Sequence, residues 1–350
     1  MKTFMLIGAS RPNIPILMMA KEIGFVTIAT DRNPKAAGLK IADISFVVGA
    51  DETKELVKIA LKHDVDCVYC GTDLNFSTAV IYNALGKQTF SAKVGLLSEY
   101  KDMYRTIAQR YYAPLTPGYI VTSAPQAVKV FDELGSDVVI KAINLCSSQG
   151  IIRVTDETDI QAAYTNCVFL SGEKTVIVEK YIEGTVHDFN GLVVDGEFHA
   201  CGIVDRGFQH DTKHFIQDKT TCPTKLSVKV QNDMYFAMTK FCSDLGIVNS
   251  PVKGDFLYDG KNIYMLEFGP RFHGELGFLH IIPNAISVDA MRAYLKLNFT
   301  GRLDKSLLQE KVIDNAICRS EPSKDATSNY DIPRYTIDFD NRASISVEIA

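Results

Sequence analysis

Asp255 and Glu267 are separated by eleven residues, and Gly269-Pro270-Arg271 follows the second acid. Two carboxylates are hard oxygen donors of the kind Mg²⁺ takes, and one or two suffice because the ion keeps its other positions for water and phosphate. Arg271 adds a guanidinium that can brace a phosphoryl group. Two short β-patterned runs flank Asp259-Gly260 between the acids, a strong hairpin signal. Such a hairpin returns Asp255 and Glu267 to the same end. The spacing alone also fits an ordinary hairpin with solvated charges.

Lys141 ends an apolar strand and is followed by Asn144-Leu145-Cys146-Ser147-Ser148-Gln149-Gly150. Small residues in such a turn let backbone N–H groups approach anionic oxygens, so the segment reads as a phosphate site or as a plain hairpin turn. Glu179-Lys180-Tyr181-Ile182 leaves another apolar strand, and His187 lies eight residues beyond Glu179. That backbone suits an adenine edge and His187 a ribose hydroxyl; the alternative is a satisfied histidine on the next strand. His210 and His214 have metal-ligand spacing only in a helix, whereas Arg206 to His214 reads as a polar loop, which argues against zinc. Cys67 and Cys70 fall in a strand pattern that sends them to opposite faces, so a buried strand is preferred to a metal or redox pair.

These residues need a scaffold, and the first hundred residues alternate strand and helix: Phe4 to Ile7, Pro15 to Ile23, Val26 to Ala29, Ile44 to Val48, Thr53 to Lys62, Cys67 to Cys70. Alternation of this kind predicts a parallel sheet, with ligands beyond the carboxyl ends of its strands. Ser10, Asp31 and Asp73 occupy such ends, and GxGxxG is absent. From Ser98 the pattern turns to a helix with Lys101, Tyr104 and Arg105. A Pro-rich break at Ala113 to Gly118 follows, then mixed helices and strands to Glu179, strands from Asp188 to Asp205, and a helix from Val228 to Leu245.

The composition, 46% hydrophobic and 23% charged over 350 residues, is that of a multi-domain globular chain. A net charge of −5 without a basic cluster argues against nucleic acid as a partner. No apolar run reaches the length of a membrane span, and the N-terminal run is too short for a signal peptide, so the expected location is cytoplasmic and off the membrane. Eight scattered cysteines fit reduced, mostly buried thiols.

The order Lys101, Lys141 with Ser148-Gln149-Gly150, Glu179-Lys180-Tyr181-Ile182, Asp255, then Glu267-x-x-Pro-Arg271 resembles the ATP-grasp superfamily of the carboxylate–amine ligase type. The resemblance implies a parallel preATP-grasp α/β domain at 1–97. A two-subdomain α+β ATP-grasp fold would span 98–305, with a lid at about 116–185, and a small β-containing segment 306–350. By the same resemblance Lys101 and Lys141 contact ATP phosphates under the Ser147, Ser148, Gly150 turn. Glu179, Lys180, Tyr181 and Ile182 take the adenine and His187 the ribose; Asp255 and Glu267 hold Mg²⁺ or Mn²⁺. Arg271 and Lys141 act on the transferred phosphoryl group. Many members carry Asn where this chain has Gly269, and an acid where it has His187.

The activity implied is ADP-forming ligation of a small-molecule carboxylate and an amine through an acyl phosphate. Its substrate pocket would draw on Ser10, Asp31, Asp73, Arg206, Lys253, His273 and Glu275. The Pro270-Arg271-Phe272-His273 run is similar to purine-pathway carboxylases and formate-using enzymes, which keeps a carboxylase or formyl-type transferase open. A small-molecule kinase, a non-catalytic nucleotide sensor and a homodimeric state also stay open. The C-terminal segment is expected to be too short for a biotin carrier or a glutaminase.

Overall fold

The first strands are apolar on both faces, which suits a parallel sheet covered on both sides. In the computed structural model, which describes residues 1–111, 113–146, 148–209, 213–274, 276–321, 334–341 and 343–348, that sheet forms. Its elements are β1 (Thr3–Ile7), α1 (Ile14–Ile23), β2 (Val26–Asp31), β3 (Ile44–Val47), α2 (Thr53–Lys62) and β4 (Cys67–Cys70). The strands are parallel in the order β3-β2-β1-β4. Met5, Ile7, Val68 and Cys70 pack under α2, whereas Phe4, Leu6, Cys67 and Tyr69 join a second core with α1. The two cysteines thus face opposite ways, both buried and unpaired.

Three helices follow, α3 (Phe76–Ala84), α4 (Ala92–Leu97) and α5 (Lys101–Arg110). The next unit contains β5 (Gly118–Val121), α6 (Ala124–Glu133), β6 (Val138–Ala142), β7 (Ile151–Val154), α7 (Glu157–Ser171) and β8 (Val176–Lys180). Its sheet is antiparallel, β5-β8-β6-β7, and packs one face on α6 and α7 around Phe131, Ile140 and Val178. Helix α7 stops at Gly172, whose φ of +71° makes it a left-handed cap.

The rest builds one large antiparallel sheet. Its strands are β9 (Thr185–Val194), β10 (Glu197–Phe208) and β11 (Gln217–Cys222), then, after α8 (Val228–Asp244), β12 (Ser250–Tyr258) and β13 (Ile263–Gly269). A π-helical turn, Leu276–Ile281, runs into α9 (Ile282–Ile286), followed by α10 (Ala290–Thr300), β14 (Ala316–Glu321), β15 (Arg334–Phe339) and β16 (Ile345–Glu348). The strand order is β13-β12-β9-β10-β11-β14-β15-β16. One face covers α5 and α8 through Phe189, Phe256, Phe268, Tyr104 and Met238; the other meets α1, α9 and α10 through Leu192, Cys201, Leu17 and Met291. The parallel sheet and the large sheet therefore share a core, which fixes their relative position. Strand β10 carries Arg206, correcting the expected loop there. No helix among the described residues is long and apolar enough to cross a membrane.

Candidate active site

The Asp259 carboxylate closes the β12–β13 turn by accepting the N–H groups of Lys261 at 2.8 Å and Asn262 at 2.6 Å, and Gly260 supplies φ +92°. From that turn Tyr258 pairs with Ile263, Leu257 with Tyr264 and Phe256 with Met265; then the register shifts and Asp255 pairs with Glu267. Leu266 is the extra residue. Without this bulge Asp255 would face Leu266, so the facing carboxylates are its product. Tyr104 of α5 donates its hydroxyl to the Met265 carbonyl at 2.8 Å, and the Met265 N–H reaches Pro114 O at 2.6 Å, which ties down the bulged strand.

Lys253 lies two residues before Asp255 on the same strand face. Its Nζ is 2.6 Å from Glu267 Oε1 and 3.6 Å from Asp255 Oδ1. Across the neighbouring strand Asp255 pairs with Asp188. His273 Nε2 donates to Asp255 at 2.6 Å and stands 3.4 Å from Asp188. Arg206 completes the group, Nε at 2.6 Å from Asp188 and Nη1 at 3.3 Å from Asp255. Burial alone would raise the Asp255 carboxyl, but Lys253, Arg206 and His273 outweigh it and hold it well below the ordinary value. Burial likewise opposes charge on Lys253, and Asp255 with Glu267 more than reverses it, raising that ammonium.

At the other end, Lys101, Tyr104 and Arg105 share one face of α5. Arg105 Nη1 contacts Glu179 at 2.6 Å, and its Nη2 donates to the carbonyls of Thr116 at 2.8 Å and Gly118 at 2.7 Å. Lys141 Nζ meets the other Glu179 oxygen at 2.5 Å. Burial pushes the Glu179 carboxyl up, yet Lys141 and Arg105 bring it below its usual value. Lys101 Nζ donates to Leu145 O at 2.5 Å and stands 4.0 Å from Glu267, linking the two ends. Charged neighbours thus run from Lys141 through Glu179 to Arg105 and from Lys101 through Glu267 and Lys253 to Asp255, the two runs set side by side by α5, where Lys101 and Arg105 are four residues apart.

The turn after Lys141 is tight. Gly150 has φ +64°, and a Cβ there would lie 2.8 Å from Ala142 Cβ; Ser148 has φ +58°. Lys180 donates its N–H to Pro117 O at 2.8 Å, and Tyr181 donates its own to Asp137 O at 2.9 Å with its ring 3.5 Å from the Arg153 guanidinium carbon. Ile182 is half-buried beside them. Within the Tyr181–Ile182 backbone expected at an adenine edge, the Tyr181 N–H thus already has a protein acceptor.

Arg271 is held by Asp73, with Nε at 2.8 Å and Nη2 at 2.6 Å from one carboxylate oxygen, while Nη1 donates to Phe272 O at 2.7 Å. Burial opposes ionisation of Asp73, and Arg271, Lys253 and Lys101 overcome it, leaving the carboxyl below its ordinary value. His187 Nδ1 donates to Asp205 at 2.7 Å and its Nε2 accepts from Thr185 at 2.7 Å, so both ring nitrogens have protein partners. Ser10 is exposed, and the Asp31 carboxylate accepts the Asn33 N–H at 2.9 Å as a turn cap. Ser147, Glu275 and His210 lie outside the described residues. The sequence alone assigns no role to Arg105, Asp188 or Asp205. Arg105 was detectable as the helical neighbour of Lys101 four residues on; Asp205 faces His187 only because the β9–β10 register shifts between Ala200 and Ile203.

Asp255 and Glu267 offer hard oxygens on one face, a donor set that fits Mg²⁺. Among the described residues, Asp188, Asp255 and His273 form a three-residue grouping with ligand atoms within 4.8 Å of one another, and Arg206 already faces both of its acids.

A sequence profile described as ATP-grasp domain matches residues 134–278, a span that includes Lys141, Glu179, Asp255, Glu267 and Arg271. Over that span, less than half of its length, the chain is similar to the ATP-grasp domain. The chain is 23% identical over 256 residues to the carbamoyl phosphate synthase large chain of Clostridium acetobutylicum, covering 72% of its own length and 24% of that protein. It thus spans about a quarter of that relative. Its fold is that of the L-amino acid ligase from Bacillus licheniformis, with a TM-score of 0.78 at 16% identity over 95% of this chain and 83% of that one. The biotin carboxylase domain of Hydrogenobacter thermophilus 2-oxoglutarate carboxylase, solved with MgADP and bicarbonate, aligns with a TM-score of 0.76 at 20% identity over 91% and 74% of the two chains.

Proposed function

We propose that this chain is an ATP-grasp enzyme, an ATP-dependent, ADP-forming ligase that joins a small-molecule carboxylate to an amine through an acyl phosphate. One observation carries the reading: Lys101, Lys141, Arg271 and the Asp255–Glu267 pair are linked within one charged site between the antiparallel sheets and the end of the parallel sheet. Such a set neutralises and aligns phosphates. Phosphoryl transfer asks little covalent help of a protein, so positioning and charge do most of the work.

In this scheme Lys101 and Lys141 bind the ATP phosphates, Lys141 oriented by Glu179 and, through it, by Arg105. Asp255 and Glu267 would hold Mg²⁺, which when bound supplies charge neutralisation at the phosphates. The substrate carboxylate attacks the γ-phosphorus and ADP leaves. Arg271, aimed by Asp73, faces the acyl phosphate. An amine then attacks the acyl carbon, the same guanidinium stabilises the oxyanion, and phosphate departs. Residues 116–185 act as a lid that keeps water from the intermediate.

The fold shared with an L-amino acid ligase supports amino acids as the first carboxylates to try. A carboxylase reading draws on the fold shared with a bicarbonate-bound biotin carboxylase domain. ADP release screened across amino acids crossed with amines, and separately with bicarbonate and formate, tests both. Release that needs an amino acid and an amine supports ligation. Release that needs bicarbonate or formate instead would replace it by the carboxylase or formyl-transfer reading.

A further inference from the structure

Asp255 and Glu267 do not face each other across open space: the Lys253 ammonium lies between them, at 3.6 Å and 2.6 Å, and the residue is only 4% exposed. We infer that Lys253 is a built-in cation of the metal site, which leaves room and charge for one divalent ion per nucleotide. This rests on the reading of Asp255 and Glu267 as metal ligands.

The charge balance leads there first. Asp188, Asp255 and Glu267 bring three negative charges; Arg206 and Lys253 return two positive ones at 2.6 to 3.6 Å, and Lys101 adds another at 4.0 Å from Glu267. A pair of divalent ions on these acids would sit against a fixed ammonium, whereas one ion needs only the carboxylate oxygens turned away from it. Lys253 cannot be exchanged or chelated, because it is part of β12.

Steric arrangement leads to the same place. Lys253 and Gly269 are direct cross-strand partners. A Cβ on Gly269 would lie 3.3 Å from Lys253 Cε and 3.1 Å from Ser98 Cβ. The lysine stem therefore runs where a side chain at 269 would stand. Gly269 thus offers the acids no side-chain ligand, and the Lys253 cation approaches them beside it.

Mn²⁺ counted by electron paramagnetic resonance on the full chain, at saturating ADP, tests this without turnover. The expected result is one tightly bound Mn²⁺ per chain, rising to two in Lys253→Met. Lys253→Gln, checked with the first variant for a native circular dichroism spectrum, is the second probe and is expected to behave the same way. Two ions in the unaltered protein would overturn the inference while leaving the metal ligands in place. One ion before and after both substitutions would also overturn it, since Lys253 would not set the count. No bound ion in any form would remove the metal-site reading itself, and the inference with it.

Discussion

Arg271, on the loop after β13, is bound through two of its nitrogens by Asp73, which lies just past the end of β4 and 198 residues earlier in the chain. The parallel sheet thereby aims a guanidinium that the large sheet presents. Removing the charge with Asp73→Asn should leave Arg271 in place but loosely oriented. The expected outcome is a fall in kcat of roughly 10-fold with nucleotide affinity almost unchanged, since misaimed groups near a reacting centre cost rate before binding. Steady-state kinetics beside a nucleotide titration would separate the two, and an equal loss in both would contradict a positioning role.

Glu267→Gln keeps the shape of the side chain and removes its charge. ADP formation should drop by at least about 10²-fold, the scale on which loss of a charge-stabilising group acts. Far-UV circular dichroism should stay native. Near-normal turnover would rule out Glu267 as a metal ligand.

Arg105 serves the site through Glu179 and also holds the carbonyls of Thr116 and Gly118. Arg105→Ala strips half the neutralisation from a buried carboxylate and orphans two acceptors. Breaking a buried pair from one side costs about 3–5 kcal/mol, so urea unfolding should show a loss of that order. A change below about 1 kcal/mol, the size expected of a surface pair, would contradict it.

The pH dependence of stability follows from Asp73, Glu179 and Asp255, all held below their ordinary values by neighbouring cations that outweigh burial. Each binds fewer protons folded than unfolded, so its contribution is complete above the unfolded carboxylate value of about 4 and is lost as pH falls through the lower folded values. Melting temperatures should therefore hold near neutrality and fall steeply below about pH 4. A flat profile down to pH 3 would contradict the ion-pair network.

Much of this architecture was legible because its signals are local. The β1 and β4 runs and the Asp259-Gly260 hairpin are patterns of apolar periodicity and turn chemistry, and all appear where those patterns put them. Polar strand β11, Gln217–Cys222, gave no such signal because its pairing comes from β10 and β14. Register shifts also hid relationships: the bulge at Leu266 makes the Asp255–Glu267 pair, and another sets Asp205 against His187. Sequence suggests Lys253 only as a substrate contact, because its seat between two acids depends on Gly269 across the strand.

Acyl phosphate formation is the centre of the account, and isotope transfer reads it directly. With carboxyl-¹⁸O amino acids supplied alongside the amine that supports ADP release, ¹⁸O should appear in the phosphate, one atom per ADP, and only when the carboxylate is present. ADP release whose phosphate carries no ¹⁸O would contradict it.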